Sequence, residues 1–200
     1  MQTLEAIEQR RSIKHFDPNH KYTEDEIKQI FQYAKLSPTS FNMQNWRFVF
    51  IDDKKIQAQI KEAAWNQEQV EDCSGLIVVC ADLEAYKKDP QRYWKDADPK
   101  VQEVIVPMIA KFYEGNEALI RDEAIRSCGI ASQTLMLTIK DMGYDSCPMI
   151  GFDPNKVAQI IKLPDNHVIT MLLATGKATE GPKKRSGSLD MEEILIRNTF

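Results

Sequence analysis

Apolar residues in this chain recur with two periods, and the period separates helices from strands. Ile27, Ile30, Phe31 and Ala34 fall at helical spacing and form one stripe. Just ahead of them, Thr23-Glu24-Asp25-Glu26 is a capping box, whose hydroxyl and carboxylate answer backbone donors left open at a helix start. Ser37-Pro38 ends that helix, because the residue before proline disfavours the α region, and a loop runs from 38 to 45. Residues 47–51 are aromatic and β-branched and predict a strand; Asp52-Asp53 then suit the start of a helix carrying Ile56 and Ile60. The apolar run within 75–82 predicts a strand buried on both faces. From 84 to 98 the pattern is polar and aromatic and selects no element.

Val101, Val104, Ile105, Met108, Ile109 and Phe112 return to helical spacing, with Pro107 expected to kink or divide that helix. The long run 117–142, apolar at Leu119, Ala124, Ile125, Cys128, Ala131, Leu135 and Ile139, predicts a central helix stopped by Gly143. Asp153-Pro154 opens a short helix through 161 by the N-cap and first-turn proline rule, and 168–174 predicts another buried strand. Beyond a stretch rich in Gly, Pro, Lys and Arg (176–187), Leu189, Met191, Ile194, Leu195, Ile196 and Phe200 would be costly in water, so this tail is expected to dock on something.

Composition narrows the possibilities. Two hundred residues, 42% hydrophobic and 28% charged, fit one domain with a proper core. A net charge of −4 argues against a nucleic-acid binder, so any anion must be held locally. The longest apolar stretches, 76–81 and 168–174, fall short of the roughly 20 residues a membrane helix needs. Glu5 and Glu8 interrupt the region where a secretory leader would need an apolar run, so a cytoplasmic protein is expected. Cys73, Cys80, Cys128 and Cys147 form no Cys-x-x-Cys pair and suit core positions better than a metal site. Cys147, ahead of Pro148, has a reactive thiol as its sharper alternative, although no basic neighbour in sequence would lower its pKa.

None of the eight glycines is spaced for a dinucleotide fingerprint or a Walker loop. A nucleotide phosphate would therefore be gripped by side chains, for which arginine's planar fork is suited. Arg10-Arg11-Ser12-Ile13-Lys14 and Lys183-Lys184-Arg185 offer such groups; either alone reads as a solvated surface. The hydroxyls and amides from Ser37 to Trp46, Asn66-Gln67-Glu68-Gln69 and Pro148-Met149-Ile150-Gly151 offer hydrogen bonds of the kind a heteroaromatic edge requires, or plain polar turns. His15, His20 and His167 sit in no catalytic pattern.

In order along the chain, Arg10 to Phe16, Ser37 to Trp46, Asn66 before the buried strand, Gly143 to Asp153, and Gly176-Lys177 leading to Arg185 resemble the FMN-dependent nitroreductase family over nearly the whole length. The resemblance implies an α+β fold, a three-layer α/β/α sandwich around a central, mostly antiparallel sheet. It implies one domain, 1–200, in which 177–200 embraces a second copy in a homodimer and adds a strand to the partner's sheet. Hydride would pass from NAD(P)H through N5 of non-covalent FMN to a small electron-poor acceptor, a nitroaromatic, quinone or flavin, in ping-pong fashion. No catalytic nucleophile or metal is required, since the cofactor carries the chemistry.

Residue by residue, the resemblance assigns Arg10 and Arg185, assisted by Lys183 or Lys184, to the FMN phosphate, with Arg11 and Ser12 in the same shell. Lys14 would lie beside the pyrimidine edge, where positive charge favours the anionic reduced ring. Asn66 would hydrogen-bond that edge, and Gln69 stands where some members carry lysine, a departure that bears on the flavin's potential. Pro148, Met149, Ile150 and Gly151 would pack near the flavin centre, with a backbone N–H at Ile150 or Gly151 reaching N5; Ile150 replaces a glutamate of some members. Pro38, Thr39, Ser40 and Asn42 would come from the opposite subunit, and Asn45 stands where proline is frequent. A non-catalytic FMN carrier or sensor, and a flavin-free dimeric binding protein, are the rival readings.

Overall fold

A computed structural model of the chain describes residues 2–200. Its helices are α1 (Thr3–Gln9), α2 (Glu24–Ala34), α3 (Lys54–Ala63), α4 (Gln69–Asp72), α5 (Pro99–Tyr113), α6 (Glu117–Asp141), α7 (Pro154–Ile160) and α8 (Met191–Ile194). Its strands are β1 (Trp46–Ile51), β2 (Gly75–Asp82), β3 (Asp145–Met149) and β4 (His167–Gly176), in the order β1-β2-β4-β3 and antiparallel throughout.

The side-chain alternation of β2 builds the layers. Leu76, Val78 and Cys80 face one core with α3, α7 and residues Ile13 and Phe16, whereas Ile77, Val79 and Ala81 face a second core with α2 and α6. All eight residues of β2 are buried, as a strand covered on both faces must be. The α/β/α sandwich follows from that double burial. A third, smaller cluster gathers Met43, Ile109 and Tyr113 with Tyr86, Tyr93 and Trp94, which gives the unassigned stretch 84–98 a place against α5.

Helix α2 starts as its sequence dictates: Thr23 N–H donates to Glu26 Oε2 at 2.8 Å and Glu26 N–H to Thr23 Oγ1 at 3.3 Å. The loop after α6 turns through Gly143 at φ 86°, a left-handed conformation glycine adopts without strain.

Two expectations are corrected. Helix α5 runs through Pro107 undivided; Pro107 and Glu103, whose carbonyl loses its partner there, both stand on the exposed side, where water can serve that carbonyl. Pro148 and Met149 belong to strand β3 rather than to a loop. That strand lies at the end of the strand order, where a residue without an N–H is tolerated. Helix α1, with only Ala6 buried, has no counterpart in the sequence pattern. No helix among the described residues is long and apolar enough to cross a membrane.

Candidate functional site

Two buried side chains, Ile13 and Phe16, fasten an extended N-terminal segment to the core and leave Ser12 and Lys14 facing outward. Ser12 bridges in parallel to Ser146 of β3, and Ile13 N–H donates to the Ser146 carbonyl at 3.1 Å. On its other side the same segment zips to the chain leaving β4: Asp17 N–H donates to Lys177 O at 2.9 Å and Thr179 N–H to His15 O at 3.0 Å. The second basic cluster is thereby carried alongside the first. Arg11 donates to the Lys183 carbonyl, and Arg185 Nη2 donates to Glu8 O at 3.3 Å.

Between these two segments lies an open cavity of about 340 Å³ lined by residues 10–15 and 180–187. It collects Arg10, Arg11, Lys14, Lys183, Lys184 and Arg185, together with the hydroxyl of Ser12, in a chain whose net charge is −4. Its one carboxylate, Glu180, lies 3.7 Å from His15 Nε2 in an exposed and hence weak pairing. This donor set is the chemistry of a site for a multiply charged anion such as a phosphate dianion.

A second group of residues lies farther along β3, beyond the bridge to Ser12. At about 3.3 Å per residue, the end of β3 at Met149 falls roughly 10 Å from Ser146, with Ile150 and Gly151 just beyond it, so the anion cradle and this loop suit the two ends of an elongated ligand. Gln67 Nε2 donates to the Gly151 carbonyl at 2.9 Å, and buried Gln69 donates to Gln67 Oε1 at 3.0 Å and faces Met149 Sδ at 3.6 Å. Asn66 is exposed beside them at φ 57°, while Ile150 is 82% exposed. Gln67 is a positioning residue that the sequence pattern did not single out from its polar neighbours.

Pro38, Thr39, Ser40 and Asn42 line no part of the basic cavity within this chain. Ser40 and Asn42 bond instead to the aromatic cluster: Tyr113 donates to Ser40 Oγ at 2.6 Å, and Asn42 Nδ2 donates to Tyr93 O at 2.8 Å, while Pro38 is exposed. Gln44 N–H donates to Thr39 Oγ1 at 3.0 Å. The four cysteines are buried. Burial pushes the Cys147 thiol up despite the nearby positive charge of Lys14, which removes the reading of a reactive thiolate.

The chain matches a known family: the sequence profile of the Nitroreductase family matches residues 7–177, and the chain belongs to that family. It is thus an oxidoreductase of nitroreductase type. Among individual proteins, it is 51% identical over 190 residues to Protein DrgA of Synechocystis sp., covering 94% of this chain and 90% of that protein. It is 31% identical to the oxygen-insensitive NADPH nitroreductase of Helicobacter pylori, covering 93% of each. A solved structure from Exiguobacterium sibiricum, of a protein described as a nitroreductase and in complex with FMN, superposes with a TM-score of 0.89 at 33% identity, covering 98% of this chain and 97% of that one.

Proposed function

We propose that this chain holds FMN without a covalent bond and acts in the cytosol, as a homodimer, to move hydride from NAD(P)H to a small electron-poor acceptor. Nitroaromatics, quinones and free flavin are the acceptors that fit, taken in alternation with the reductant at one shared pocket. FMN, when bound, supplies the redox chemistry, and the protein supplies position and field.

The observation that carries this reading is the convergence of cationic side chains from two distant stretches of sequence on one cavity. Arg10 and Arg185, with Lys183, Arg11 and Ser12, hold the phosphate; Lys14 sets a positive charge beside the pyrimidine edge. Asn66 binds that edge, and the backbone of Ile150 or Gly151 serves the ring centre. Pro38, Thr39, Ser40 and Asn42, which line no part of the cavity within one chain, complete the site of a second copy. The FMN complex of the Exiguobacterium sibiricum structure supports the cofactor, and the Helicobacter pylori enzyme's name supports a nicotinamide reductant.

The test is the visible spectrum of the purified protein before and after anaerobic NADPH or NADH. A flavin spectrum that bleaches on addition is the expected result. Colourless protein that takes up no FMN overturns the cofactor, and bound flavin that neither reductant bleaches leaves a carrier rather than an enzyme.

A further inference from the structure

Trp65 presents its indole to solvent from a backbone conformation that bulky residues rarely adopt. It is 69% exposed, and its φ of 55° is followed by 57° at Asn66, two successive left-handed residues with no glycine between them. Strain of this kind persists only where the surroundings impose it. Here a hydrogen-bonded loop pair imposes it: Asn66 N–H donates to Lys61 O at 2.9 Å, Asp153 N–H to Ala63 O at 2.8 Å, and Gln67 reaches across to Gly151. The ring lies over Gly151 so closely that a Cβ there would come within 2.6 Å of Trp65 Cζ3. Glycine at 151 therefore makes room for the indole, whose six-membered ring rests on that backbone, and Ile150, next in the chain, is itself exposed.

We propose that Trp65 is a specificity-determining residue, whose indole is a fixed stacking platform for planar, electron-poor rings entering as acceptors. The proposal rests on the cofactor reading above, in which Asn66 and Gly151 border the flavin. An electron-rich indole face and an electron-deficient ring attract in offset stacking, beyond what the area they bury contributes. A platform already held in place loses little freedom on binding, so more of that attraction appears as affinity. Acceptors that receive electrons without stacking gain nothing from it.

The test compares W65A, W65F and W65L holoenzymes with the wild type, using nitrobenzene and benzoquinone as stacking acceptors and ferricyanide as a non-stacking one, together with the FMN dissociation constant. The expected result is a fall of about tenfold in the aromatic-to-ferricyanide ratio of kcat/KM for W65A and W65L, carried by KM, with W65F restoring most of it. FMN affinity should hold in W65F and W65L, so those two variants decide the matter even if W65A sheds cofactor. A ratio that stays at the wild-type value in W65L, or that falls equally in W65F, overturns the proposal. A wild-type protein that holds no FMN overturns the cofactor reading itself, an outcome distinct from a competent enzyme with an unmoved ratio.

Discussion

Arg10 stands half-buried at the end of α1, outside the apolar core, and lines the basic cavity. Charge-assisted hydrogen bonds to a dianion are worth roughly 1.5–3 kcal/mol each. R10A is accordingly expected to raise the FMN dissociation constant by about 10- to 100-fold while leaving the thermal midpoint close to that of the apo wild type. Fluorescence titration with FMN and a melting curve of the apoprotein measure both; an unaltered dissociation constant refutes the assignment of Arg10 to the phosphate. Lys14 should behave differently, since its charge bears on the ring and its loss should move the reduction potential more than the affinity.

At the scale of elements, Glu26 does more than cap α2. It also accepts from the Tyr144 hydroxyl in the turn between α6 and β3. That bond, then those from Thr23, hold the Glu26 carboxyl below its ordinary value. A folded-state value below the unfolded one stabilises above the unfolded pKa of about 4.3 and is lost as pH falls through the folded value. E26Q is therefore expected to lower stability modestly at neutral pH, solvent screening keeping the effect small, a deficit that shrinks as pH falls through the acid range below the unfolded value. Urea midpoints across that range measure it, and a deficit that is flat with pH would remove the charge from the explanation. The cap at Thr23, the buried β2, the strand β4, which is buried only over 172–176 and half-buried over 167–171, and the long α6 were legible in sequence because their signals are local: a four-residue motif, an unbroken apolar run, a sustained period. β3 was not, since Asp145-Ser146-Cys147-Pro148-Met149 lacks β-branched residues and becomes a strand only by pairing with β4. α1 escaped for a similar reason, because Leu4 and Ile7 are exposed and leave no buried stripe to read. Of the site, the basic residues and their grouping were legible through the resemblance. Trp65 was not, because its significance lies in a backbone angle and in the missing side chain of Gly151.

For the whole molecule, the tail sets the problem. Leu189, Met191, Ile194, Leu195, Ile196 and Phe200 are all exposed within the single chain, and residues 188–200 contribute only the four-residue helix α8. An exchanged arm lying on a second copy would bury them. Removal of residues 186–200 should weaken the dimer, read by sedimentation as monomer at low concentration; a truncated protein still dimeric there counts against the arm. The pinning of Arg11 to the Lys183 carbonyl, across 172 residues of sequence, has a consequence in time. A nascent polypeptide displays the first arginines long before their counterparts are synthesised, so the two groups can meet only once the chain beyond β4 has been made. If FMN is the ligand of the basic cavity, the recovery of flavin binding in a refolding experiment is expected to trail the far-ultraviolet signal, and the yellow colour then gauges finished molecules.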